Sequence, residues 1–144
     1  MIEQDTVKLL RECDAGIKMG VDSIAEVLEY ACDNTLRHVL QVCKTTHEKL
    51  QHEVRVLLDQ YHDSGKEPNP MAKGMSWVKT NVKLAMEDSD KTIADLITDG
   101  CNMGVKSLTR YLNQYKAADE KSKTITKDLI ASEEKLIIQL RPFL

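Results

Sequence analysis

The sequence predicts an all-α protein, a bundle of four long helices laid out as two antiparallel hairpins. Three observations carry that prediction. Composition is the first: aromatic residues are 4% of the 144, glycines number six and prolines three, and 30% of the chain is charged. Helix formers dominate, and the turn and aromatic residues that a β-sandwich needs are scarce. The second is a run of apolar stripes with steps of three and four residues, one face of an α-helix each. The third is an internal repeat. His47 to Arg55 (His-Glu-Lys-Leu-Gln-His-Glu-Val-Arg) returns as Glu133 to Arg141 (Glu-Glu-Lys-Leu-Ile-Ile-Gln-Leu-Arg), and Met19-Gly20-Val21-Asp22-Ser23-Ile24 is answered by Met103-Gly104-Val105-Lys106-Ser107-Leu108.

In chain order, Leu10, Cys13, Ile17, Ile24, Val27, Leu28 and Ala31 form the first stripe, with Asp5 or Thr6 able to cap its helix. Asp33, Asn34 and Thr35 supply cap chemistry for a second helix, whose stripe is Leu36, Leu40, Cys43, His47, Leu50, Val54, Leu57 and Tyr61. So short a link makes the pair antiparallel. Gly65, Pro68 and Pro70 then break the helix. A short extra helix follows in the crossover, carrying Met75, Trp77, Val78, Val82 and Ala85, and Asp88, Ser89 and Asp90 offer the next cap. The third long helix shows Ile93, Ile97, Gly100, Cys101, Gly104, Leu108, Tyr111 and Tyr115; the fourth shows Ile125, Leu129, Leu136 and Leu140 before Pro142. One domain over 1–144 results: hairpin 1 at about 5–62, a crossover at about 63–89, and hairpin 2 at about 90–141. A crossover that long can return along the bundle, which makes the middle pair of helices parallel.

Charge and cysteine content exclude several functions. Twenty basic and twenty-three acidic residues, mixed in sign, give no field to gather nucleic acid or an anionic membrane. No apolar run is long enough to span a bilayer. Cys13, Cys32, Cys43 and Cys101 lack metal-ribbon or disulfide spacing and read as reduced thiols, so a cytoplasmic location is expected.

Two duplicated antiparallel hairpins joined by a long crossover are the layout of a ferritin-like four-helix bundle. The chain resembles small bacterial ferritin-like, rubrerythrin-related proteins in Gly65-x-x-Pro68, in Gly74-x-x-Trp77-x-x-x-x-x-Lys83, and in the glycine-containing middles around Gly20 and Gly104. The resemblance implies a di-metal centre built from a Glu on each of two helices and Glu-x-x-His on each of the other two. This chain has no Glu-x-x-His, and its one acidic counterpart, Asp59-x-x-His62, falls at a helix end.

The repeat places His47 over Glu133 and Ile17 over Cys101, all near mid-bundle, while Leu50 and Leu136 fall where the histidines of such motifs stand. His47, Glu133 and Cys101 are therefore the candidate metal ligands, suited to a single Zn, Fe or Mn ion. The favoured alternative is a buried His and Glu satisfying each other, with Cys101 packing in the core. No phosphate loop, nucleophile elbow or catalytic Cys/His pattern is present. The functional expectation is a non-enzymatic bundle that has lost its metal set, has no cofactor, and acts through a protein partner. A homodimer is expected from Trp77, Val78, Val82 and the tyrosines. The alternative is a metal-binding or oxidoreductase protein with a reduced site.

Overall fold

A computed structural model describes residues 2–68 and 89–144. Four helices make up almost all of it: α1 (Ile2–Leu28), α2 (Asn34–Gln60), α3 (Ser89–Gln114) and α4 (Glu120–Leu140), followed by a 3₁₀ turn, Arg141–Phe143. No strand occurs among the described residues. The expected crossover helix with Met75, Trp77, Val78, Val82 and Ala85, the Gly74-to-Lys83 pattern, Pro70 and Asp88 lie outside the described residues.

Two apolar clusters fix the topology. At one end Ile24 and Val27 of α1 meet Leu36 and Leu40 of α2, Ile93 and Ile97 of α3, and Leu136 and Leu140 of α4. At the other, Leu10 and Cys13 of α1 meet Leu50, Val54 and Leu58 of α2, Leu108 of α3, and Ile125 and Leu129 of α4. Helices α2 and α3 thus begin at the same end and are parallel, while each hairpin is antiparallel. The end of α2 and the start of α3 therefore lie at opposite ends of the bundle, separated by the length of a 27-residue helix, about 40 Å at the α-helical rise.

Asp33 and Asp119 are the N-caps of α2 and α4, accepting from the backbone N–H groups of Leu36 and Ser122 at 3.0 and 2.8 Å. Asp119, in the turn of the second hairpin, thus caps α4 as Asp33 caps α2. At the start of the chain the difference is larger, because α1 begins at Ile2 and runs through the expected cap residues. Asp5 and Thr6 instead accept from the N–H groups of Ala117 and Asp119, at 3.0 and 2.8 Å, in the turn of the other hairpin. Asp90 does the same for the first turn, accepting from Cys32 and Asp33 at 2.8 and 3.0 Å. Each hairpin turn is thus held by the N-terminal end of the opposite hairpin.

The end of α2 explains Asp59-x-x-His62. His62 takes a left-handed conformation (φ 57°), and the N–H groups of His62 and Asp63 close onto the carbonyls of Asp59 and Leu58. That is the Schellman arrangement that ends a helix, and the pair serves termination.

Candidate functional site

His47 and Glu133 stand fourteen residues after their N-caps, 33 to 47 and 119 to 133, so the two hairpins bring them to the same level. That level is the junction of the two apolar clusters. His47 is 1% exposed and Glu133 8%. The Nδ1 of His47 lies 3.0 Å from the carbonyl oxygen of Cys43, which only accepts, so Nδ1 carries a proton and donates. This leaves Nε2 facing Glu133 Oε1 at 3.7 Å, an ion-pair distance longer than a hydrogen bond. Burial alone pushes the imidazole towards its neutral form. Cys43 and Glu133 outweigh burial and raise its pKa to about 10. Glu133 Oε2 is buried and has no hydrogen-bond partner among the described residues.

The repeated glycines make room for this pair. A Cβ on Gly20 would stand 3.1 Å from the His47 ring, and one on Gly104 would stand 2.5 Å from Glu133 Oε2. In each hairpin a glycine on the first helix seats the polar side chain of the second. The echo around Gly20 and Gly104 was therefore the signal of the site as much as of the fold.

A cavity of about 720 Å³ lies against the pair, between α1 and α3. Gly16, Met19, Gly100, Met103 and Leu108 contribute to its walls, and His47, Glu133, Cys43 and Cys101 also border it. Lys66 at its margin pairs with Glu12. The Cys101 thiol is held protonated, first by burial and then by the charge of Glu133. Ile17, placed over Cys101 by the repeat, is fully buried in the other cluster.

Among the described residues, no three His, Cys, Asp or Glu side chains stand together as a group able to hold a metal ion. His47 and Glu133 are two facing donors, fewer than the three or four protein ligands of a stable zinc site. Leu50 and Leu136 are 4% and 1% exposed and pack in separate clusters. Cys13, which the sequence did not single out from the core, has its thiol pKa pushed up to about 12, chiefly by burial, and contacts Thr126 Oγ1 at 3.2 Å.

Sequence reasoning missed Asp14, which is fully buried on α1. Its Oδ2 accepts from Lys18 Nζ at 2.9 Å and from the Lys66 N–H at 3.0 Å, with the Arg55 guanidinium 3.7 Å away. Gly65 (φ 89°) is pressed so closely on this carboxylate that a Cβ there would overlap it. Arg55 also donates to the Ser64 carbonyl at 2.8 Å, and Arg11 to Asp63 at 2.8 Å. The first half of Gly65-x-x-Pro68 is thus a close-approach glycine over a buried anion. An acidic residue one position off an apolar stripe was the available signal.

No described helix is long and apolar enough to cross a membrane. Of the residues behind the expected dimer, Tyr111 and Tyr115 are half-buried and stacked on each other, with ring centroids 6.2 Å apart.

No protein-family model matches the chain, and no curated protein matches it. Among solved structures, the crystal structure of a DUF305 fragment from Deinococcus radiodurans is similar, with a TM-score of 0.76 over 96% of this chain and 93% of that one. At 13% identity this likeness shows the fold alone. The comparisons name neither a ferritin-like nor a rubrerythrin-related protein.

Proposed function

We propose that the chain is a non-enzymatic, ferritin-like bundle, made of two duplicated hairpins, that has given up a di-metal ligand set and works by binding. One observation carries the reading. Where two Glu-x-x-His motifs would aim imidazoles, Leu50 and Leu136 are buried, and His47 and Glu133 engage each other across the bundle. A buried imidazolium and carboxylate compensate one another, so the middle of the bundle keeps its polar residues without a metal. No chemical step is assigned to them.

Elemental analysis of protein purified without chelator tests this. The expected content is far below one metal per chain, with the melting temperature unmoved by EDTA. Stoichiometric zinc, iron or manganese, together with a metal-dependent rise in melting temperature, overturns it. The second reading, a single ion on His47, Glu133 and Cys101, is favoured by one fact: Nε2 and Oε1 face each other with Oε2 unpartnered beside them. For that reading, His47→Ala or Glu133→Ala should abolish the metal-dependent rise.

The partner would be a protein, including a second copy of this chain. Light scattering at high micromolar concentration checks the second copy, and a monomer there removes it.

A further inference from the structure

We infer that the buried His47–Glu133 pair selects which hairpins associate: it makes hairpin 1 (α1 and α2) pair with hairpin 2 (α3 and α4), and disfavours the pairing of either hairpin with its own copy in a second chain. This rests on the two-hairpin part of the reading above and not on the loss of a metal set.

The two hairpins meet through equivalent surfaces. Asp33 donates its N–H to Asp90 at 3.0 Å, and Asp119 donates its N–H to Thr6 at 2.8 Å. Thr6 and Asp90 are counterparts in the repeat, since 6 to 90 spans the same interval as 19 to 103, and Asp33 and Asp119 are the matching N-caps. The same contact is therefore made twice, once in each direction. His47 and Glu133 are counterparts too, each fourteen residues after its cap and each against the glycine of its own first helix, and they face each other at 3.7 Å. Contact between counterparts marks an approximate two-fold axis relating the hairpins, the arrangement of an isologous interface.

Such a surface carries a hazard. Whatever joins hairpin 1 to hairpin 2 can also join hairpin 1 to hairpin 1 of another chain. The end contacts survive that exchange, because Thr6 and Asp90 each accept the N–H of an N-cap residue. Apolar side chains also regroup at modest cost when total volume is kept. The connection within one chain favours the native pairing only through a local concentration on the order of millimolar, which concentrated protein approaches. The central pair makes the difference. In the exchanged arrangement His47 meets His47 and Glu133 meets Glu133, at positions 1% and 8% exposed. Each group loses its opposite charge, and two like groups that close either repel or force one of them to neutralise. Leucine at both positions would keep the bundle and erase the choice.

Disulfide trapping reads the pairing directly. Of the four cysteines Cys32 alone is exposed, and its Sγ lies 3.7 Å from Ser89 Oγ. Ser89→Cys therefore bridges to Cys32 within one chain when hairpin 1 meets hairpin 2. The counterpart of Ser89 is Asp5, so Asp5→Cys bridges to Cys32 of a second chain only when hairpin 1 meets hairpin 1. Asp5→Cys also removes the acceptor of the Ala117 N–H, but equally in every background, so ratios between backgrounds report the central pair. Each reporter is placed in the full chain, unfolded in urea with reductant and EDTA, refolded at about 0.2 mM to approach the local concentration of a tethered pair, then oxidised, and its links are quantified by mass spectrometry. With His47 and Glu133 in place, the link from position 89 to Cys32 should form in most chains, and the link from position 5 should stay at background. His47→Leu with Glu133→Leu should raise the link from position 5 about tenfold or more, the usual scale for a buried charge pair lost from an interface. His47→Glu with Glu133→His keeps opposite charges facing and should return it to background. A link from position 5 that is abundant beside the native pair, that the leucines do not raise, or that the reversed pair leaves high overturns the inference. Absence of the link from position 89 in every background overturns the two-hairpin arrangement, and the inference with it.

Discussion

Asp14 and Glu133 are both buried carboxylates on the inner faces of long helices, and their surroundings assign them opposite duties. Asp14 has an ammonium, a backbone N–H and a guanidinium around one oxygen, and a glycine pressed against it. The Lys66 N–H and Gly65 belong to the segment that leaves α2, so Asp14 fixes where the chain turns out of the first hairpin. Glu133 has one partner at 3.7 Å, and its other oxygen packs against Gly104. Burial of a charge is tolerated in both places, and each carboxylate keeps one buried oxygen, Oδ1 of Asp14 and Oε2 of Glu133, without a hydrogen-bond partner among the described residues; the difference is three donors around the first and one imidazole facing the second. A carboxylate ringed by donors anchors the turn that supplies them, whereas one facing a single imidazole completes a pair across the bundle.

The largest expected effect comes from breaking the first of these. Asp14→Ala leaves the Lys66 N–H without its acceptor, takes the nearby anion from Arg55 and leaves Lys18 with Glu67 alone, and should lower stability by about 3 kcal/mol in urea denaturation. Because Lys18 and Arg55 keep partial access to water, with side chains 21% and 40% exposed, the loss stays below that of a fully enclosed pair. Asp14→Asn should recover part of it. A loss no larger than that of a surface substitution would remove the anchoring role.

Glu133→Ala comes next, at roughly 1 to 3 kcal/mol, since it strands the His47 imidazole. Converting both residues to leucine should restore most of that stability, because no lone polar group then remains inside. If the double variant is less stable than Glu133→Ala, the pair is not compensating a burial penalty.

The pH dependence separates the two regions further. His47 is raised from 6.5 to about 10, so its protonated form is the one the fold favours. That contribution is complete below about pH 6.5 and is lost as pH rises through the window towards about 10. Stability should therefore fall from pH 6.5 to 8.5, initially by on the order of 1 kcal/mol per unit. Over the same range the double leucine variant should be flat. Denaturant midpoints at three pH values suffice, and an equal slope in both proteins would contradict the pairing.

The smallest effects belong to the glycines. Gly16→Ala and Gly100→Ala enter open space and should each stabilise by about 0.5 to 1 kcal/mol. Gly20→Ala and Gly104→Ala push on His47 and Glu133 and should give no such gain. Thermal melts of the four variants distinguish close-packing glycines from space-keeping ones.

Much of this molecule was legible in the sequence. Apolar steps of three and four residues determined four helices, because only a helix gathers such residues on one face. The short link at Asp33 determined an antiparallel pair. The repeat put His47 level with Glu133 because two helices of equal rise, counted from equivalent caps, reach equal heights. Tertiary structure decided what spacing along one chain cannot carry. Thr6 and Asp90 hold the turn of the opposite hairpin, and Asp14 meets a loop more than fifty positions away. Glu133 and His47 find room to face each other because Gly104 of α3 and Gly20 of α1 lie against them, a matter of which walls face each other. Periodicity records the face on which a residue lies. Whether that face meets a partner, a backbone or an empty space is settled only when the helices pack.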